Sequence, residues 1–173
     1  MVLLIAGASH TGKTRLAQRI LETYHYPYLS MDHLKMGLIR SGQTTLTVFD
    51  DDKLTDYLWR IVREMVKTAI ENGQNLVVEG CYIPFDWKKD FSEDYLTQIR
   101  YRCLVMSREY IEQNFDQIRG YANVVEDRRD DSGLNIQELI RDNERNLEQC
   151  RIHGCEYLLI QGSYDVCWKT EEE

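Results

Sequence analysis

Val2-Leu3-Leu4-Ile5-Ala6-Gly7-Ala8-Ser9-His10-Thr11-Gly12-Lys13-Thr14 opens the chain and decides its fold. The apolar run over 2–6 is short and continuous, the mark of a strand buried on both faces. Gly7 to Thr14 then matches G-x-x-x-x-G-K-[ST] in full, and from Lys13 the apolar spacing turns helical through Leu16, Ala17, Ile20 and Leu21. A strand, a glycine-rich turn and a helix in that order form a cradle for phosphate. Gly7 and Gly12 let the backbone turn back so that the N–H groups of Ala8, Ser9, His10 and Thr11 point inward at the positive end of the helix. Lys13 brings a compact positive charge to the β and γ phosphates, and the Thr14 hydroxyl can join the shell of Mg²⁺. His10 reads as a tolerated variable position of the loop.

Outward from the loop, strands and helices alternate. Pro27 ends the first helix near residue 24, and 28–31 reads as a second strand, with Asp32 opening a helix that Gly37 or Gly42 stops. Asp50-Asp51-Asp52 suits a helix N-terminus. Leu54, Leu58, Ile61, Met65, Ala69 and Ile70 then recur at helical spacing until Asn72-Gly73. Strands follow over 75–78 and 101–106, with Ser107 capping a helix to about residue 119. The polar, weakly periodic stretch 120–133 is expected to be a mobile lid. A helix over 136–153 stopped by Gly154 and a strand over 157–160 complete the pattern, and the Glu171-Glu172-Glu173 tail is solvated. This is the order of an α/β domain with a parallel sheet.

The chain has 173 residues, which at about 150 residues per domain predicts one domain, 1–173. The net charge of −8 argues against binding the backbone of a nucleic acid, which needs a basic face. No apolar run approaches the roughly 20 residues that span a bilayer, and the apolar start lacks a basic leader, so a cytoplasmic location is expected. Five cysteines without a CxxC pair fit reduced thiols. Cys150, His153 and Cys155 cluster, but without a fourth ligand at zinc spacing they read as packing residues. Monomer and homodimer are both compatible with the sequence.

The loop names a ligand rather than a reaction. No Asn/Thr-Lys-x-Asp guanine signature is present, and no run of four apolar residues ends in Asp-Glu, which leaves a small-molecule kinase. Further residues carry a resemblance. Asp32-His33-Leu34-Lys35 resembles the Asp-x-Leu-Arg segment of adenylate kinase, and Val77-Val78-Glu79-Gly80-Cys81-Tyr82-Ile83-Pro84 is similar to its apolar-apolar-Asp-Gly-Phe-Pro-Arg segment. Arg128-Arg129-Asp130-Asp131, with Arg141 and Arg145, resembles the end of its arginine-bearing lid. The chain thus resembles the nucleoside monophosphate kinase and shikimate kinase branch of P-loop kinases. The wording of Ser30 to Gly37 is also similar to 2-phosphoglycerate-kinase-like proteins. The resemblance implies a three-layer α/β/α fold, a five-stranded parallel sheet in the order 2-3-1-4-5, and ATP- and Mg²⁺-dependent transfer of the γ-phosphate to a small cytosolic metabolite. Two departures speak against AMP as that acceptor: Lys35 stands where an arginine would grip a phosphate, and no arginine follows Pro84.

Roles follow from position. Asp32, at the end of a predicted strand, is the candidate to accept the proton of an acceptor hydroxyl, with a helix N-cap as its structural alternative. Glu79 also ends a strand and can order the water around Mg²⁺ or bind the acceptor, as Asp32 can. Arg128 and Arg129 are expected to close over the nucleotide phosphates. Lys35, Arg40, Tyr82 and Arg141 are candidates for the acceptor side. A nucleoside or nucleoside monophosphate kinase would need a base pocket near residues 40–46, where Gln43 and Thr44 lie. A nucleotide-binding regulatory module without turnover is the alternative from another class.

Overall fold

The computed structural model describes residues 1–121, 134–164 and 166–168. Its centre is β1 (Val2–Gly7), all six residues of which are buried. Such a strand needs both faces covered, and its alternating side chains divide the interior in two. Val2, Leu4 and Ala6 join one apolar cluster, while Leu3 and Ile5 join the other.

β1 pairs in parallel with β3 (Leu76–Glu79) on one side and β4 (Ile99–Met106) on the other. β2 (Tyr28–Ser30) and β5 (Tyr157–Ile160) form the edges, giving the order β2-β3-β1-β4-β5. This is the order that the resemblance implied, and the architecture is three-layer α/β.

The even face of β1 packs against α3 (Asp51–Glu71) through Leu54, Leu58, Val62 and Val66. The apolar stripe of α3 lies slightly round from its expected place: Val62 and Val66 are buried, whereas Ile61 is partly covered and Met65 is 41% exposed. The odd face meets α1 (Lys13–Tyr24), α5 (Arg108–Tyr121) and the start of α6 (Ile136–His153). Ser107 caps α5 as expected, its hydroxyl accepting from Tyr110 N. Gly154 ends α6 in a left-handed conformation.

Three local expectations are corrected. The helix after β2 is α2 (Met31–Arg40): it begins one residue before Asp32 with Ser30 at its cap position, so Asp32 sits in the first turn rather than at the cap. Gly37 does not stop it, because its carbonyl accepts from Ser41 N like any helical residue. β3 extends to Glu79, whose pairing with Ile5 places the carboxylate side chain at the buried end of the sheet. The stretch after β3 also carries structure that the periodicity missed, a 3₁₀ turn (Trp87–Asp90) and the short α4 (Glu93–Leu96). Trp87 stacks on Tyr101 with ring centroids 5.7 Å apart, and Asp90 receives Trp59 Nε1 and Arg63 Nη1, tying this segment to α3.

Candidate functional site

β1 delivers the chain into the glycine loop, and α1 takes it out. Gly7 has φ +146°, and a Cβ there would come within 2.6 Å of the Leu104 carbonyl oxygen. Gly12 has φ +82°, and a Cβ would lie 1.8 Å from the Tyr164 hydroxyl. Only glycine fits either position without rearrangement. The loop is then tied across itself: Thr11 Oγ1 donates to the Ala8 carbonyl at 2.9 Å, and Lys13 Nζ donates to the same oxygen at 2.8 Å. From beneath, Tyr164 donates its hydroxyl to the Thr11 carbonyl at 3.1 Å. Burial pushes the Tyr164 phenol up to about 12, and the Arg15 guanidinium near its ring opposes that shift.

Lys13 is buried, 6% exposed. Burial works against its charge, but Cys81, Glu79 and Asp32 around it more than compensate, so its pKa stands above the usual lysine value. The ammonium is therefore fixed and charged at neutral pH. Thr14 Oγ1 donates to Glu79 Oε1 at 3.2 Å. That contact uses the hydroxyl hydrogen and leaves the oxygen's lone pairs available to a cation.

Beside the loop, above the C-terminal ends of β1 and β3, opens a cleft of about 880 Å³. Ligands of open parallel sheets gather at such ends. Its walls come from the loop, α2, the first turns of α3, the segment after β3 and the last half of α6. On the α2 wall Lys35 Nζ donates to Asp32 Oδ1 at 2.6 Å and to the Tyr82 hydroxyl at 2.9 Å. Tyr82 in turn donates to Asp51 Oδ1 at 3.1 Å. Burial raises the Tyr82 phenol to about 12 even with the Lys35 ammonium pulling it down. Burial alone would lower the Lys35 pKa, but the hydrogen bonds to Asp32 and Tyr82 raise it above the ordinary lysine value.

The candidate residues divide clearly. Gly7, Ala8, Ser9, Asp32, Lys35 and Tyr82 line the cleft, while Lys13, Thr14 and the buried Glu79 form the floor of the loop. Arg40 is exposed at the end of α2, and Arg141 is exposed near Glu138; neither is among the lining residues, whereas Arg145 is. Arg128 and Arg129, and with them most of the expected lid over 120–133, fall outside the described residues. Asp51, Asp56, Asp86 and Asp142 also line the cleft. Sequence reasoning assigned them no role at the site; Asp51 was visible only as part of a helix start.

No family model matches the chain, and no curated protein matches it in sequence. Solved structures do resemble it. Shikimate kinase from Bacteroides thetaiotaomicron superimposes with a TM-score of 0.55 at 14% identity, covering 92% of this chain and 85% of that one. Gluconokinase from Sinorhizobium meliloti gives 0.39 at 14% identity, with 88% and 93% covered. Shikimate kinase from Aquifex aeolicus gives 0.43 at 12%, with 88% and 99% covered. The superposition on the Bacteroides structure agrees with the sheet order in placing the architecture. The chain has the fold of that shikimate kinase, a three-layer α/β domain with a parallel sheet in the order 2-3-1-4-5.

Proposed function

We propose that this protein is an ATP- and Mg²⁺-dependent kinase that transfers the γ-phosphate to a hydroxyl of a small metabolite. The observation that carries the reading is the juxtaposition of a fixed ammonium, Lys13, in the glycine loop with a large cleft that has Asp32 in its wall. A module that only senses nucleotide needs the loop but not a cleft that runs from it to Asp32, α3 and α6.

The residues present fit the nucleotide and its metal. The loop amides and Lys13 would hold the β and γ phosphates, with Thr14 as a Mg²⁺ ligand and Glu79 orienting Thr14. Bound Mg²⁺ supplies positive charge that offsets the phosphates. Asp32, kept beside the Lys35 ammonium, is placed to accept the proton of an acceptor hydroxyl as it attacks in line. Phosphoryl transfer needs little covalent help from the protein, so positioning and charge do most of the catalysis. Arg128 and Arg129 complete the proposal as the cations that close over the phosphates.

The test is a calorimetric titration with Mg·ATP followed by a phosphoryl-transfer screen over sugars, hydroxy acids, nucleosides and nucleoside monophosphates. Lys13→Ala removes a charge-assisted contact and is expected to weaken ATP binding about 10- to 100-fold. Asp32→Asn is expected to keep ATP binding and lose transfer. Nucleotide binding with no acceptor accelerating turnover would instead favour the regulatory module.

A further inference from the structure

Glycine gives the phosphate loop its turn and, by the same freedom, leaves one peptide loosely set. Gly12 has φ +82° and ψ 24°, and with no Cβ it can leave that conformation for others at small cost. Its carbonyl is fixed by the helix, since it accepts from Leu16 N at 3.0 Å, but the peptide joining Thr11 to Gly12 precedes the helix. Which way that peptide faces matters. In a trans peptide the C=O and the N–H point in opposite directions, and no cis bond occurs among the described residues. Turned one way, the peptide offers the Gly12 amide to a phosphate oxygen; turned the other, it offers the Thr11 carbonyl, a partial negative charge, to an anion.

Tyr164 supplies a hold from outside the loop. Its hydroxyl donates to the Thr11 carbonyl at 3.1 Å and fills the space that a Cβ on Gly12 would take. With the phenol pushed up to about 12 by burial, the hydroxyl keeps its proton through the neutral range and remains a donor. Thr11 is wholly buried, so its carbonyl relies on that donor. The Ala8 carbonyl needs no such help, because Thr11 Oγ1 and Lys13 Nζ hold it from within the loop.

The tyrosine is itself anchored. Beyond β5 the chain returns along α1, where Arg19 Nη1 donates to the Val166 carbonyl at 2.8 Å and the Tyr24 hydroxyl donates to the Trp168 carbonyl at 3.4 Å. Val166 and Trp168 are buried in the same apolar cluster as Leu16, Ala17 and Ile20 of α1. The Arg102 guanidinium of β4 lies 4.6 Å from the centroid of the Trp168 ring, and that of Arg15 lies 5.7 Å from the Tyr164 ring. The hydroxyl thus reaches the loop from a segment fixed to the helix that follows the loop.

We infer that Tyr164 is a positioning residue for nucleotide binding: by holding the Thr11 carbonyl it turns the Gly12 amide into the loop, where that amide donates to a phosphate oxygen. This inference rests on the nucleotide site of the kinase reading and adds to it a residue that acts through the loop rather than on the ligand. Without the hydroxyl, only the fraction of molecules with the peptide correctly turned is competent to bind, and the apparent affinity falls by that fraction.

The test uses the full chain and Mg·ADP, with affinity read by calorimetry and the loop amides read by amide NMR. In the wild type the Gly12 amide proton is expected to move downfield when Mg·ADP is added, as a proton entering a charge-assisted hydrogen bond does. Tyr164→Phe keeps the ring and removes the hydroxyl. It is expected to weaken Mg·ADP binding about three- to tenfold, the worth of one neutral hydrogen bond, and to shrink the Gly12 shift, with an unaltered circular dichroism spectrum. Tyr24→Phe is the control: it removes a hydroxyl that anchors the same segment without reaching the loop, and it should leave the affinity unchanged. Wild-type affinity in Tyr164→Phe overturns the inference, as does an equal loss in both variants or a weakened Tyr164→Phe whose Gly12 shift is intact. A Gly12 amide that does not respond to bound Mg·ADP in the wild type overturns it without any variant. Absence of Mg·ADP binding to the wild type would instead overturn the kinase reading beneath it.

Discussion

Gly12 concentrates in one residue the constraints on the phosphate loop. Its φ of +82° disfavours any side chain, and the Tyr164 hydroxyl occupies the place of a Cβ. Gly12→Ala is expected to destabilise the protein by more than about 1 kcal/mol and to abolish detectable Mg·ATP binding, measured by urea unfolding and calorimetry. The glycine itself was legible from the motif, since a loop that wraps phosphate needs backbone freedom there. Its partner was not: Tyr164 stands 152 positions along the chain and meets the loop only because β5 lies in the same sheet. The same holds for Tyr82, whose hydroxyl accepts from the Lys35 ammonium across 47 positions of the chain.

At the scale of elements, the long helices and the inner strands follow from apolar spacing and caps. α6 was legible to its last residue because Gly154 marks its end. What spacing does not reveal is the side chain that couples one element to another. Asn143, wholly buried on α6, accepts from Met106 N at 2.8 Å and donates to the Leu139 carbonyl at 2.8 Å, so it joins α6 to the end of β4. Asn143→Leu leaves the Met106 amide without that acceptor and is expected to cost about 1–3 kcal/mol in chemical denaturation. The segment between β3 and β4 was illegible for a related reason. Trp87 and Phe91 form no periodic stripe, and they find their place by stacking on partners from β4 and α3.

For the whole molecule, ionisation is tied to the integrity of the site. Tyr82 and Tyr164 both have phenol pKa values raised to about 12 from 10, mainly by burial, and Lys13 and Lys35 are raised as well, through their anionic and hydrogen-bonding neighbours. A pKa raised on folding gives stability that is complete below the unfolded value and lost as pH climbs through the folded one. The melting temperature is therefore expected to hold up to about pH 10 and to fall steeply between pH 10 and 12. Tyr164→Phe should make that fall shallower, read by thermal melts across the range. The opposite trend, a protein stabilised by alkali, would contradict the buried phenols.

The opening thirteen residues and the alternation of elements were enough to predict an α/β domain that begins with a strand, a glycine loop and a helix, because backbone turns, helix caps and apolar periodicity are local properties. The sheet order came with the resemblance those motifs carry, and the structure bears it out. Only tertiary structure decided the character of the cleft beside the loop. Asp51, Asp52, Asp56, Asp86 and Asp142 share no pattern along the chain, yet packing of α3, α6 and the segment after β3 around one opening sums their charges into a single field. Such a field depends on distances through space, which no local pattern encodes.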